Sequence, residues 1–442
     1  MFLIATMPSY LIRFNILNIP STLLEVMIWS VFLVWIIANW TRIKANIAEC
    51  FKKNNKKIKI HYPFDWEIIL LLLVSFAAAG VAGFSPSALG IWKAYFFEPI
   101  LFFIVVFNII QKEQGKNKIL LALAMSAFLV SLLAIYQKFT GALIDNPLWA
   151  TEATRRVVSF FGYPNAVGLY LGPIILILVG LLTELFKNIK KDQTFNFQIL
   201  KINFIVVSIV CSLLAIYFAK SKGAMIGVVV GLFVFGLIIW KKVRWATITV
   251  ALIILAGIVI YQPARNLVVE NITLNNLSGQ IRIIGWQESW EMLKDSRLLI
   301  GAGLANYQTA VRQYHQPGFF YNRDDDPNFH RQTVFNANYR QTHWQPLEIY
   351  LYPHNIVLNF WSELGLAGVL LFIWIIGKYF VLGITNYKLQ TTNYKYLNIG
   401  LICAMVAIVT HGIVDVPYFK NDLAVMFWLL VAMMSLINFE TK

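Results

Sequence analysis

The chain has 442 residues, of which 58% are hydrophobic and only 13% charged. That balance excludes a soluble globular domain. The net charge of +15 does not point to nucleic acid, because the basic residues sit in short loops between apolar spans rather than in one patch.

Runs of about 20 apolar residues recur, the length that crosses roughly 30 Å of hydrocarbon as helix. Lipid offers no partner for backbone N–H and C=O groups, so such spans must be helical. In chain order the runs predict spans near 2–18, 21–40, 66–84, 90–110, 119–139, 164–186, 202–219, 224–240, 245–262, 355–383, 397–414 and 422–438. The expected fold is an all-α polytopic membrane helix bundle of about 11–12 transmembrane helices. It divides into N-terminal spans (1–262), one long, mainly helical extracytoplasmic loop (263–354) and C-terminal spans (355–442). The first span is short and carries Arg13, and it lacks a small-residue cleavage pattern, so it reads as a retained helix rather than a signal peptide. Cys211 and Cys403 lie in apolar spans and Cys50 in a basic loop, which leaves no disulfide framework and no cysteine-based zinc site.

Topology follows from the basic loops. Arg42, Lys44, Lys52, Lys53, Lys56, Lys57 and Lys59 fill the first, Lys112, Lys116 and Lys118 the second, and Lys187, Lys190, Lys191 and Lys201 the third. Lys241, Lys242 and Arg244 make another such turn, and Lys388 and Lys395 mark the last. All fall on one side, which the positive-inside rule makes cytoplasmic. Parity then sends loops 85–89, 140–163, 220–223, 263–354 and 415–421 outward, together with Arg155, Arg156, Lys222, Arg282, His354 and Asp415.

Arg155 and Arg156 precede SFFGYPN at 159–165. Adjacent arginines at a membrane edge grip phosphate through forked hydrogen bonds, or else snorkel to lipid headgroups. Lys220 and Lys222 occupy a short outward turn, where basic residues are disfavoured unless an anion or a headgroup holds them. Arg282 opens a helical pattern continued by Trp286, Trp290 and Leu293, which Gly301 and Gly303 then break. Aromatics from Tyr307 to Tyr352 suit either sugar faces or interfacial packing. Asp324, Asp325 and Asp326 lack the ligand spacing of a calcium loop and read as a solvated tip.

His354 stands where the long loop meets a span, with Asn355 as N-cap. A helix N-terminus disfavours imidazolium, and a neutral histidine accepts a proton from a hydroxyl. Asn355, Asn359 and Glu363 follow on one helical face, which must look into the bundle or a wet cavity. His411 and Asp415 form a further i, i+4 pair, read either as support for the site or as helix–helix contacts.

Together these segments resemble the O-antigen ligase and O-antigen polymerase family of bacterial envelope proteins. The resemblance rests on RRVVSFFGYPN (155–165), SKG (221–223), RIIGWQESWEML with GAG (282–303), YPHNIVLNFWSELGLAG (352–368) and HGIVDVPYFKNDLAVMFW (411–428), in that order. It implies an integral-membrane glycosyltransferase of the cytoplasmic (inner) membrane. Such an enzyme moves a glycan from an undecaprenyl-diphosphate carrier to a hydroxyl of a glycan or glycolipid acceptor on the outer face. By residue match, Arg282 and Lys222 would hold the diphosphate, with Arg155 or Arg156 sharing the load. His354 would orient or deprotonate the acceptor hydroxyl, with Asn355, His411 and Asp415 around it. The family usually carries arginine where this chain has Lys222, and lysine makes a point contact rather than a fork. No metal or other cofactor is expected, since fixed cations stabilise a departing diphosphate as a metal would.

The competing reading is a transporter or a flippase of lipid-linked glycans. Such proteins show internal repeats and groups at the membrane midplane. Lys93 and Glu98, within one span, are the residues that fit it.

Overall fold

The computed structural model describes residues 1–16, 19–41, 43–45, 63–110, 113–187, 195–389 and 394–439. Cys50, Arg42, Lys52, Lys53, Lys56, Lys57, Lys59, Lys112, Lys190 and Lys191 lie outside them.

Among the described residues eight helices are long and apolar enough to cross a membrane. Chain order begins with two shorter helices, α1 (Leu23–Ala38) and α2 (Asp65–Val81). The long ones follow as α3 (Pro86–Ile109), α4 (Gly115–Thr140), α5 (Pro164–Lys187), α6 (Gln198–Ala219), α7 (Lys222–Ile239) and α8 (Lys241–Ile260). The long loop contributes α9 (Gln262–Ile272) and α10 (Leu277–Met292). The long helices α11 (Ile356–Lys388) and α12 (Lys395–Gly412) and the shorter apolar α13 (Asn421–Ile437) end the chain. The chain is thus an all-α polytopic membrane bundle.

One expected span is corrected. Residues 2–18 do not form a membrane helix: a short helix (Phe2–Ala5) and a 3-10 turn (Met7–Leu11) lead into the hairpin Arg13–Ile16/Ile19–Thr22. Pro8 and Pro20 deny the segment a continuous ladder of helical hydrogen bonds. Its apolar residues Leu3, Ile4 and Met7 are buried in the bundle core instead of facing lipid. The hairpin delivers the chain to α1, which starts at a capping box between Thr22 and Glu25.

Two sets of charges within the bundle are paired. Lys93 lies 2.9 Å from Glu25 of α1 and 4.0 Å from Glu98 of its own helix, and Trp29 donates to Glu98. Of its two contacts, Lys93 thus makes the closer one to Glu25 of another helix and not to Glu98 of its own span. Lys378 and Glu67 join α11 to α2 at 2.7 Å.

The core that positions the site is α12, packed between α5 and α7. Small residues allow close approach: a side chain at Gly180 would stand 2.9 Å from the Gly400 Cα, and one at Gly227 would stand 3.0 Å from the Ala407 carbonyl. This packing fixes the start of α7, with Lys222, beside the end of α12, with His411. The second device is a break in α11 at Gly365, whose φ of +72° lies in the left-handed region. The segment after α10 docks there: Ala302 N donates to the Ser362 carbonyl, Leu366 N to the Leu299 carbonyl, and the Trp361 indole to the Leu298 carbonyl. The long loop is thereby latched onto α11, the helix that follows His354 and its neighbour Asn355.

Candidate active site

At one end of the bundle the turns before α5, between α6 and α7, and after α12 meet the long loop. The α6–α7 turn is tight enough to place Lys220 at φ +53°, a conformation that side chains other than glycine seldom adopt. Lys220 Nζ donates to the Thr154 carbonyl and Lys222 Nζ to Asn271 Oδ1, at 3.2 and 2.8 Å. Arg156 Nε donates to the Ala219 carbonyl at 3.1 Å, and its Nη2 reaches Asn165 Oδ1 at 3.4 Å. From α10, Arg282 Nε donates to the Val414 carbonyl at 2.8 Å, while Nη1 donates to Ser278 Oγ at 2.6 Å.

These side chains line one cavity of about 200 Å³. Arg156, Lys220, Lys222 and Arg282 face it together with His411, and no carboxylate lines it among the described residues. Each cation is held by neutral carbonyl, amide or hydroxyl oxygens, so none is neutralised by its own anchor. Burial and the nearby Arg282 charge both lower the Arg156 guanidinium from its ordinary value. Burial does the same to Arg282, opposed by Asp415. Guanidinium groups remain charged despite such shifts. The cavity therefore holds a concentration of positive charge that an anion relieves.

Arg155 goes elsewhere. Its Nε donates to the Ala150 carbonyl at 3.0 Å and its Nη1 to the Lys138 carbonyl at 2.9 Å, closing the end of α4. It does not line the cavity.

His354 sits across from Arg282 in a narrow cleft lined also by Tyr350, Tyr352 and Tyr307. Its φ of +49° is left-handed, a strained conformation for a residue with a side chain. The ring meets Tyr350 and Tyr352 edge to face, with centroids 5.2 and 5.1 Å away. Its Nδ1 lies 3.5 Å from Asp415 Oδ1. That distance is an electrostatic contact rather than a closed hydrogen bond, and Nδ1 has no other partner among the described residues. Asn355 caps α11, accepting from Leu358 N at 3.0 Å, and donates to the Ile413 carbonyl at 3.0 Å.

Asp415 is buried to 1% exposure. Asn165 Nδ2 donates to its Oδ2 at 3.0 Å and Val416 N to its Oδ1 at 2.9 Å. Burial alone would raise its carboxyl. The His354 contact, the charges of His354 and His411, and the Val416 N–H outweigh that and hold it at about 2. A permanent carboxylate therefore stands between the histidines. His411 is buried behind the cavity wall, and a side chain at Gly223 would come within 2.6 Å of its Cδ2.

The fold thus gathers Arg156, Lys222, Arg282, His354, Asn355, His411 and Asp415 into one neighbourhood and leaves Arg155 outside. Asn165, Asn271 and Ser278 were not singled out from sequence, although each orders a charged group. Asn165 joins Arg156 to Asp415, and no spacing rule connects positions so far apart in the chain. The acidic triplet serves the loop's own packing: Asp324 meets His343 at 3.1 Å, and Asp326 accepts from Tyr339 at 3.1 Å.

Residues 207–373 match the family model described as O-Antigen ligase. Lys222, Arg282, His354 and Asn355 fall inside that interval, and Arg156, His411 and Asp415 fall outside it. No curated protein matches the chain closely enough to count as a relative.

Proposed function

We propose that this chain, which carries an O-antigen ligase domain at residues 207–373, transfers a glycan from an undecaprenyl-diphosphate carrier to an acceptor hydroxyl on the extracytoplasmic face of the inner membrane. The observation that carries this reading is the cavity lined by Arg156, Lys220, Lys222 and Arg282, with no carboxylate among the described residues, whose Arg282 also lines the cleft of His354. Diphosphate accumulates charge as its bond to the anomeric carbon breaks. Cations already in place stabilise that charge in the transition state more than in the ground state, which is the condition for faster chemistry.

The acceptor oxygen forms the new bond to the anomeric carbon as the bond to the diphosphate oxygen breaks. The acceptor proton passes to the His354 imidazole, and the diphosphate leaves on its lipid with its charge matched by the arginines and lysines. Asp415 orients the ring and favours the imidazolium that forms. The outward placement is supported by the basic loops at the opposite ends of the spans. A lipid-linked donor suits a compartment without a nucleotide supply.

The test is transfer by Arg282→Ala and His354→Ala variants that still insert in the membrane. Loss of transfer by both is expected; wild-type transfer by both removes the mechanism. Envelope glycans of a deletion strain separate the acceptors: polymerised but unattached chains mean ligase, and single repeat units mean polymerase.

A further inference from the structure

A second and larger cavity, of about 440 Å³, adjoins the cleft that holds His354, within the range of about 300–1,000 Å³ typical of small-molecule sites. The narrow cleft of His354 shares Arg282 with the cationic cavity and Tyr307 and Tyr352 with this one. The cleft of His354 therefore connects to both. The Tyr352 hydroxyl donates to the Tyr163 hydroxyl at 3.2 Å, and both residues line the larger cavity.

The lining of this cavity is built for a polar guest. Asn359, 1% exposed, presents an Oδ1 with no partner, and Tyr10, 4% exposed, presents an unpartnered hydroxyl, both among the described residues. Leaving such groups unsatisfied is costly unless a ligand or water completes them. Glu363 accepts from Ala305 N at 2.8 Å and also faces the space. Lys420 lies over the Tyr163 ring, 4.0 Å from its centroid. Neither it nor Arg13, which also lines the space, has a carboxylate within ion-pair distance among the described residues. Burial lowers the Lys420 ammonium from its ordinary value, opposed by the charges of Asp422 and Asp415, while the Arg13 charge adds to the lowering.

We infer that this cavity is the subsite of the acceptor, and that the sugar it takes carries an acidic substituent, a carboxylate or a phosphate, which Lys420 and Arg13 receive while Asn359, Tyr10 and Glu363 bond its hydroxyls. This rests on the glycan-transfer reading. A displacement needs separate places for the incoming hydroxyl and the leaving diphosphate, and the cleft of His354 shares lining residues with two separate cavities, one cationic and one with unpartnered polar groups.

The experiment measures binding to the full-length chain in lipid nanodiscs by saturation-transfer NMR. The probes are methyl glucuronide, methyl glucose 6-phosphate, methyl glucoside and undecaprenyl diphosphate. The acidic sugars are expected to bind in preference to the glucoside. Lys420→Met, which keeps the length of the partly buried side chain and removes its charge, weakens them about tenfold or more, with binding normalised to folded protein. Asn359→Leu weakens all three sugars, and neither variant alters binding of undecaprenyl diphosphate. Arg282→Ala gives the converse pattern. Equal binding of charged and neutral sugars, absence of saturable sugar binding, or indifference to Lys420→Met would each overturn the inference. A chain that binds the acidic sugars but not undecaprenyl diphosphate would instead remove the donor assignment and leave this cavity standing.

Discussion

His354 Nδ1 faces Asp415 Oδ1 across 3.5 Å, joining the start of α11 to the turn that follows α12. Asp415 is the more firmly held partner, since Asn165 and Val416 N already fix both of its oxygens. The carboxylate is a preset feature of the fold, and the imidazole nitrogen that faces it makes no closed hydrogen bond among the described residues.

Replacing Asp415 with asparagine should therefore disturb both orientation and charge. Without the carboxylate, the imidazolium formed on proton uptake is no longer stabilised. Transfer should fall roughly tenfold to a hundredfold, less than the roughly 10²–10⁴-fold expected for loss of the base itself in His354→Ala. The same substitution has a signature in stability. Asp415 is held at about 2, below the ordinary value of 3.8. Its ionised form thus stabilises the folded chain above pH 3.8, and this contribution disappears as pH falls through about 2. Thermal unfolding of wild type and Asp415→Asn, followed against pH, should differ at neutral pH and converge on acidification.

Arg155 and Arg156 offer a paired test, because they are adjacent in sequence and divergent in space. Arg156→Ala removes a cation from the cavity wall, so affinity for undecaprenyl diphosphate should fall about tenfold or more and lose part of its salt dependence. Arg155→Ala removes the hydrogen bonds that close α4 and should lower the unfolding temperature, while each folded molecule keeps wild-type affinity. A binding isotherm and an unfolding curve on both variants decide the matter. Equal affinity losses would mean that Arg155 also reaches the ligand.

Gly223 lets α7 begin beside His411. The Cβ of Gly223→Ala would sit 2.6 Å from His411 Cδ2 and 3.0 Å from Val414 Cγ2. Overpacking of this kind costs about 1–3 kcal/mol. The strain should reach Arg282 through Val414, whose carbonyl accepts from Arg282 Nε. A transfer assay normalised to folded protein should show reduced activity in Gly223→Ala, and Gly223→Val should be worse.

Most helices were legible because membrane burial imposes a single rule, an apolar run of fixed length, and every expected span from 21–40 onward meets a helix. The first run misled because apolar character alone does not say whether a segment faces lipid or protein. Pro8, Arg13 and Pro20 break it into short helical turns, which bury Leu3, Ile4 and Met7, and a hairpin. Site residues at span ends were legible by charge and parity. The opposite aims of Arg155 and Arg156 were not, because neighbouring residues in an extended stretch look to different sides and only the tertiary fold chooses which enters the cavity. Asn359 and Glu363 were recognised as an inward face, but Lys420 and Tyr10 opposite them come from distant elements.

The break in α11 supplies the last prediction. Gly365 lies in the left-handed region, and a Cβ there would collide with the Leu299 carbonyl and sit 2.9 Å from Ile300 Cα. Gly365→Ala thus combines a backbone cost of about 1–2 kcal/mol with overpacking of about 1–3 kcal/mol. The chain relieves both by releasing residues 298–302 from α11. That release would free Ala305, whose N–H holds Glu363, and loosen α10 with Arg282. Gly365→Ala should therefore lower both the unfolding temperature and transfer. Gly377→Ala, in the same helix with nothing within 4 Å of the added carbon, should change neither. Limited proteolysis of the two variants in nanodiscs checks the route, with new cleavage near 298–305 expected only for Gly365→Ala. An intact loop in an inactive Gly365→Ala protein would show that the break serves α11 itself rather than the docking of the loop.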